Sequence, residues 1–176
     1  MSLPRAEHPR PQFQRDAWIN LNGPWTCRFD HGLSGLEAGW HRATGFEQSI
    51  VVPFCPESRL SGLGHTDFID GLWYHRVIEI PSDWAGRSVR LHFGAVDYEC
   101  EAFVDGVSVG RHFGGTVSFA FDISGQVRAG QRHHLVVRAY DDTRSKAQPL
   151  GKQSERLHSY GCHYTRTTGI WQTVWM

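Results

Sequence analysis

Apolar and polar side chains alternate with a period of two along several short stretches of the chain, most clearly within residues 87–111. Val89, Leu91 and Phe93 share one face of an extended segment, and polar residues separate them, as expected of a half-buried strand. The alternation resumes at Tyr98. The pattern therefore predicts one strand followed by a second that must be covered on its apolar side.

A hairpin turn follows at Asp105-Gly106. A two-residue Asp-Gly loop is typical of a type I′ turn, because glycine adopts positive φ without cost and aspartate tolerates it. The turn fixes which residues face each other on the two strands. The predicted cross-strand pairs are Val104 with Val107 and Ala102 with Val109.

Similar patterns, bounded by glycine, proline and other turn residues, predict about nine strands. They fall at residues 25–29, 49–52, 71–80, 89–93, 98–104, 107–111, 117–123, 134–140 and 170–175. No segment has a sustained helical period, so the predicted class is all-β. The strand count and the long connections favour a jelly-roll sandwich of two antiparallel sheets over a small closed barrel.

The chain length and the loop lengths suggest how the strands are organised. A chain of 176 residues with 40% hydrophobic residues can bury a core as one domain. Residues 1–16 are rich in proline and predict an extended arm, so that the sandwich occupies residues 17–176. Residues 54–70 and 141–168 read as long loops, and loops of that length in a compact domain are often functional.

The charge balance and the cysteines indicate which partners and which cellular compartment to expect. Lys+Arg and Asp+Glu both number 18, and this balance argues against a nucleic-acid partner. The sequence has neither the apolar region of a signal peptide nor an apolar run long enough to span a membrane. The four cysteines lack metal-binding spacing and favour buried free thiols, hence a reducing, cytoplasmic compartment. They are Cys27, Cys55, Cys100 and Cys162.

Candidate chemistry is sparse. Glycosidases need two carboxyl groups flanking the scissile bond, and the carboxylate pair formed by Asp67 and Asp70 lies in a glycine-rich loop. The pair Asp141 and Asp142 is more typical of turn chemistry.

Signatures of nucleophilic catalysis and of nucleotide binding are absent. The spacing of His158, Cys162 and His163 fits no standard zinc site, so neither a metal nor a cofactor is predicted.

Several segments, in their order and spacing, carry a family likeness. They are Val52-Pro-Phe-Cys-Pro-Glu-Ser, Leu72-Trp-Tyr-His-Arg, Leu91-His-Phe-Gly-Ala-Val-Asp-Tyr-Glu, Phe103-Val-Asp-Gly-Val-Ser-Val-Gly, Phe121-Asp-Ile, Gly151-Lys-Gln and Thr167-Thr-Gly-Ile-Trp-Gln-Thr-Val-Trp. Together they resemble the N-terminal sugar-binding domain of glycoside hydrolase family 2, which includes β-galactosidases, β-glucuronidases and β-mannosidases. The likeness covers nearly the whole chain from about Trp18 onward.

The resemblance implies a jelly roll of the galactose-binding-domain type. In the complete enzyme, an immunoglobulin-like domain and a TIM barrel follow it, and the barrel holds both catalytic glutamates. This segment would then contain no catalytic residue and would brace a barrel that acts on a carbohydrate. Arg111-His-Phe-Gly-Gly-Thr lacks the carboxylate found at this place in typical β-galactosidases, so the likeness is closer to β-glucuronidases.

The resemblance also suggests residues near the substrate. Tyr164 and Arg166 lie in a segment that approaches the active site in some family members. Asp67, Asp70 and Trp73 are further candidates, and packing or contact with another domain is the alternative role for all five. Two other functions remain open, a free-standing carbohydrate-binding module and a protein-interaction sandwich without sugar chemistry.

Overall fold

The computed structural model describes residues 2–176 and shows an all-β architecture. This part of the chain forms eleven strands and four short 3₁₀ helices. The strands are β1 (Gly23–Phe29), β2 (Gln48–Val52), β3 (Gly71–Glu79), β4 (Arg90–Phe93), β5 (Val96–Asp97), β6 (Glu99–Val104), β7 (Val107–Phe113), β8 (Phe119–Asp122), β9 (Arg132–Tyr140), β10 (Gly169–Ile170) and β11 (Val174–Trp175). The 3₁₀ helices are Pro11–Phe13, Trp40–Arg42, Arg59–Ser61 and Ser82–Trp84.

The strands build two layers. One layer is a six-stranded sheet in the order β2-β1-β3-β9-β6-β7, in which all paired strands are antiparallel. The other consists of a three-stranded ladder, β11-β4-β8, and a two-stranded ladder, β10-β5. Because β4 leads into β5 and β10 into β11, the two ladders are one layer interrupted at its middle. The predicted sandwich of antiparallel sheets is confirmed.

The segment predicted as one final strand, residues 170–175, is divided in two. β10 pairs with β5, whereas β11 pairs with β4. Between them the backbone N–H of Gly94 donates to the carbonyl of Thr173 at 2.8 Å. A Cβ atom on Gly94 would lie 2.7 Å from the side chain of Gln172, so the two chain segments approach closely where the ladder is interrupted.

The Asp105-Gly106 hairpin forms as predicted, but its register changes one step further on. Both turn residues have positive φ, 48° and 81°, and Val104 pairs with Val107. Ala102 pairs with Gly110, so the predicted pairing of Ala102 with Val109 is wrong. The register shifts between Ala102 and Phe103, where β7 carries one extra residue, as in a β-bulge.

The core lies between the layers. Alternate side chains of the long strands point into it, among them Trp25 and Cys27 of β1 and Leu72 and Tyr74 of β3. The opposite face of the six-stranded sheet carries a second buried cluster. Its members are Trp73, Phe103 and Val136, with Trp40 and Phe46 packed against them.

Candidate functional site

Two long connections meet at one end of the sandwich, where residues 53–70 end and residues 141–168 begin. Gly71, the first residue of β3, pairs with Tyr140, the last residue of β9. Glu99, the first residue of β6, also pairs with Tyr140. The backbone N–H of Asp141 donates to the carbonyl of Asp70 at 3.0 Å, which joins the two connections at their roots. Residues 53–70 and 141–168 therefore form one loop cluster.

Arg166 ties this loop cluster together. Its side chain is 2% exposed, and its Nη1 donates to the carbonyls of Ser154 at 3.2 Å and Arg156 at 2.6 Å. Its Nη2 donates to the carbonyl of Thr66 in the other connection. The guanidinium carbon lies 4.2 Å from the centre of the Phe68 ring. Burial lowers the pKa of this guanidinium, and its planar fork of donors suits several carbonyls at once.

Thr168 links two buried carboxylates beneath the loops. Its hydroxyl donates to Oδ2 of Asp141 at 3.0 Å, and Gln148 donates to the other oxygen of that carboxylate at 2.6 Å. The backbone N–H of Thr168 lies 3.2 Å from both carboxylate oxygens of Glu57. These contacts join residues that are 27 and 111 positions apart in the sequence.

Asp97 is the third buried carboxylate at this end. Gln153 donates to its Oδ2 at 2.9 Å, and the same glutamine accepts from the backbone N–H of Thr167 at 2.7 Å. Gly115 lies against the carboxylate so closely that a Cβ atom there would be 2.3 Å from Oδ1. The side chain of Asp97 therefore fills a site that leaves no room for a larger neighbour.

Burial changes the protonation of these three groups. It raises the pKa of Asp97 to about 7, and the charge of Asp141 adds to that effect. Burial raises the pKa of Asp141 to about 6, although the hydrogen bonds from Thr168 and Gln148 oppose the change. The pKa of Glu57 is raised for the same reason. Each group is committed to internal hydrogen bonds, so their arrangement holds loops in place.

The outer part of the loop cluster presents side chains to solvent. Tyr164 is 59% exposed, although its backbone is fixed by hydrogen bonds of 2.7 Å to Lys152 and from Ser154. A tight turn at its side pairs the backbones of Tyr160 and His163, whose rings stack at 5.0 Å. A side chain on a fixed backbone can contact a neighbouring molecule with little loss of conformational entropy.

The sequence-predicted site residues occupy different environments. Asp67 is exposed, and its carboxylate accepts from the backbone N–H of Phe68 at 2.7 Å. Asp70 is half-buried and forms an ion pair of 3.1 Å with Arg144. With Tyr164 and Arg166, both belong to the loop cluster.

Trp73 does not join the other four. Its ring is fully buried on the outer face of the six-stranded sheet, where it stacks with Phe103 at 6.0 Å. Its Nε1 donates to the carboxylate of Asp30 at 2.8 Å. Because no part of the ring is accessible, Trp73 packs within the domain.

Sequence reasoning missed Glu57, Asp97 and Gln153. It interpreted Asp141 and Asp142 as turn residues, which holds for Asp142 alone: its carboxylate accepts from the backbone N–H groups of residues 144 and 145. No local pattern marks the buried carboxylates, because their partners are distant in sequence.

Residues 2–176 contain no cluster of three or more histidine, cysteine, aspartate or glutamate side chains arranged to hold a metal ion. Within the same residues, no helix has the length and apolar character needed to cross a bilayer. The four cysteines in this part of the chain are free, and Cys27 and Cys100 are buried.

This architecture matches a known family of protein domains. Residues 66–174 match the profile of the family described as glycosyl hydrolases family 2, sugar binding domain. The chain belongs to this family. The match includes β3 to β10 and all of connection 141–168, so the family-2 domain contains most of the loop cluster.

Curated relatives of this family-2 domain include several β-glucuronidases. The dog enzyme is 31% identical over 133 residues, which cover 70% of this chain and 20% of the relative. The Bacteroides fragilis enzyme is 26% identical and covers 75% of this chain and 18% of the relative. A β-galactosidase from Thermoanaerobacter pseudethanolicus is 27% identical over 104 residues. The chain therefore spans about a fifth of the length of the β-glucuronidases it matches.

Solved structures show the same fold. The Ruminococcus gnavus β-glucuronidase superposes with a TM-score of 0.73 at 21% identity in its complex with D-glucaro 1,5-lactone. That match covers 92% of this chain and 29% of the R. gnavus chain. The family-2 domain thus shares the fold of one part of the longer R. gnavus chain.

Proposed function

We propose that this chain is the non-catalytic N-terminal domain of a family 2 glycoside hydrolase whose complete form hydrolyses O-glycosyl bonds, with β-glucuronides as the substrate class. The observation that carries the proposal is the match of residues 66–174 to the sugar-binding domain, together with relatives that are β-glucuronidases of which the match covers 20%. The three buried carboxylates are consistent with it, because each is held by internal hydrogen bonds and serves structure.

In this proposal, residues 1–16 form an arm on a sandwich of residues 17–176. An immunoglobulin-like domain and a TIM barrel of the same polypeptide are the partners. The barrel would supply both catalytic glutamates, and the family-2 domain would pack against it. The carbohydrate would be bound chiefly by the barrel.

The loop cluster is the part of the domain proposed to lie near the sugar. Tyr164 and Asp67 are exposed and could contact a substrate directly. Arg166 and Asp70 hold the connections through a network of hydrogen bonds and an ion pair, and so position the exposed residues. The full burial of Trp73 gives it a packing role.

Three measurements test this proposal. The 176-residue chain alone should turn over no p-nitrophenyl glucuronide, galactoside or mannoside, whereas the longer polypeptide should hydrolyse the glucuronide. The reading frame beyond codon 176 should encode the two further domains, and a stop codon directly after it would contradict the proposal. In the longer polypeptide, Tyr164→Ala should raise KM for the glucuronide, with Leu157→Ala, another exposed residue of the same connection, as the control.

A further inference from the structure

A groove lies at the end of the domain opposite the loop cluster. It has a volume of about 670 Å³ and is lined by residues 8–18 of the arm, by residues 84–92 and by Trp175 and Met176. The two connections meet at Gly71, where β3 begins, whereas residues 84–90 follow the end of β3, whose nine residues extend about 30 Å. Small-molecule sites usually have volumes of about 300–1,000 Å³, so the groove is large enough for several sugar rings.

Arginines dominate the rim of this groove. Arg10, Arg15, Arg87 and Arg90 line it, and none of them forms an ion pair with a carboxylate of the described residues. Arg111, in contrast, is neutralised by two glutamates on the six-stranded sheet. The net charge of zero for the whole chain therefore conceals a local excess of positive charge.

Few acidic groups offset that charge. Asp16 is the carboxylate that lines the groove, Asp83 lines an adjoining pocket with Arg87, and Asp122 lies opposite Arg90 in the strand pairing. Arg10 donates to the hydroxyl of Ser118, which is neutral. The surroundings of His92 agree with a positive region: burial lowers the pKa of its imidazole, and the charges of Arg90, Arg10 and His8 lower it further.

Aromatic side chains complete the groove. Phe13 is 62% exposed, and Trp18 is half-buried with one edge held by the His8 ring at 4.7 Å. Trp84 and Trp175 are nearly buried and form part of the floor. The faces of Phe13 and Trp18 can pack against the C–H groups of a sugar ring.

We propose that this groove binds an anionic oligosaccharide. Its carboxylate or sulfate groups would pair with the four arginines, whose planar donor forks match such groups, and one of its rings would lie against Phe13 or Trp18. A glycoside with a single charge leaves most of the four guanidinium groups without an anionic partner. An oligosaccharide with a charge on successive units engages more of them, so repeated charges should bind more tightly. This site is separate from the loop cluster and does not depend on the function proposed above.

Calorimetric titration of the chain tests the proposal with three probes, tetragalacturonate, a heparin-derived tetrasaccharide and neutral maltotetraose. We expect a dissociation constant below about 1 mM for at least one charged probe at about 50 mM NaCl, weakening as salt is raised. We expect no saturable binding of maltotetraose. The tighter of the two charged probes identifies carboxylate or sulfate as the preferred anion.

Variants locate the binding. The double variant R87Q/R90Q should weaken binding of the charged probe at least tenfold, whereas R59Q/R132Q, which removes the same charge from exposed positions elsewhere, should change it less than twofold. F13A should weaken it about threefold to tenfold. Urea unfolding of each variant checks that the fold is retained.

Several outcomes would overturn the assignment. They are equal binding by R87Q/R90Q and the unmodified chain, equal losses in both double variants, and equal affinity for maltotetraose. A dimer in sedimentation that R87Q/R90Q dissociates, without saccharide binding, would instead make the groove an interface between two copies. Unchanged affinity in F13A would remove Phe13 from the site.

Discussion

The hydroxyl of Thr168 donates a 3.0 Å hydrogen bond to the carboxylate of Asp141, and both residues are nearly inaccessible to water. The same threonine donates its backbone N–H to Glu57. One residue thus joins connection 141–168 to connection 53–70 at the base of the loop cluster. Losing a single donor here leaves a buried acceptor with fewer partners.

Replacing Thr168 with valine tests that link. Valine has nearly the same shape but no hydroxyl, so the Asp141 oxygen loses its donor. We expect the free energy of unfolding to fall by about 1–3 kcal/mol, measured by urea denaturation at pH 7. Thr165→Val is the matched control, because Thr165 is exposed, and it should cost less than about 0.5 kcal/mol. Equal effects of the two substitutions would show that the hydroxyl of Thr168 is dispensable.

The carboxyl of Asp97 predicts a pH dependence of stability. Its pKa is about 7 in the folded chain against an ordinary 3.8, so the folded state holds this proton more tightly than the unfolded state. The resulting destabilisation of the folded state is absent below about pH 4, grows as the pH rises from about 4 to about 7, and is complete above about pH 7.

Asp97→Asn should remove the part of this pH dependence that Asp97 supplies, whereas the raised pKa values of Asp141 and Glu57 leave the remainder. The variant should gain about 1–3 kcal/mol of stability relative to the unmodified chain between pH 5 and pH 8, measured by urea unfolding across that range. Asp67→Asn, at an exposed position, should leave the slope unchanged. A slope in Asp97→Asn identical to that of the unmodified chain would assign the proton uptake to other groups.

Replacing Arg166 should loosen the loop cluster locally without destabilising the whole fold. Lysine at this position keeps the charge but replaces the planar fork by a single ammonium, which cannot reach all three carbonyls. We expect hydrogen exchange of the Ser154 and Tyr164 amides to accelerate at least tenfold in Arg166→Lys, because these amides pair across the connection that Arg166 holds. Exchange in the core strand β9 should change little. Arg59→Lys, on an exposed 3₁₀ turn, should alter neither.

The sequence predicted correctly those turns and strands whose formation depends on residues close together in the chain. The Asp105-Gly106 turn formed because its two residues suit positive φ, and the β-strand pairing next to it followed. The register shift one step later was not predicted. Next to it, a Cβ atom at Gly110 would lie 2.4 Å from the ring of Phe121 in the other layer, so this position requires glycine for a reason that the hairpin sequence does not contain.

The candidate site was only partly predictable from the sequence, because some of its residues give a local signal and others do not. Asp67 and Asp70 were found as a carboxylate pair in a glycine-rich loop, and Tyr164 and Arg166 through a family likeness. All four share one loop cluster. Glu57 and Asp97 gave no local signal, because their burial exists only once the two long connections meet. Trp73 has the residue type of a sugar platform, but strand alternation directs it to the outer cluster, where Phe103 and the covering residues Trp40 and Phe46 bury it.

The close packing of Gly169 against Tyr74 gives a final prediction. Its φ is 73°, and a Cβ atom there would lie 2.2 Å from the hydroxyl of Tyr74, which itself accepts the backbone N–H of Ile170 at 3.1 Å. Gly161 has a similar φ of 52° but open space around it. Alanine at Gly161 should therefore cost only the left-handed strain, about 1 kcal/mol, whereas alanine at Gly169 adds a clash with a fully buried ring. We expect Gly169→Ala to cost at least about 3 kcal/mol in urea unfolding, and Gly169→Ala combined with Tyr74→Phe to recover part of that loss. Equal losses of stability in Gly161→Ala and Gly169→Ala would show that the Tyr74 hydroxyl is not the reason for glycine at position 169.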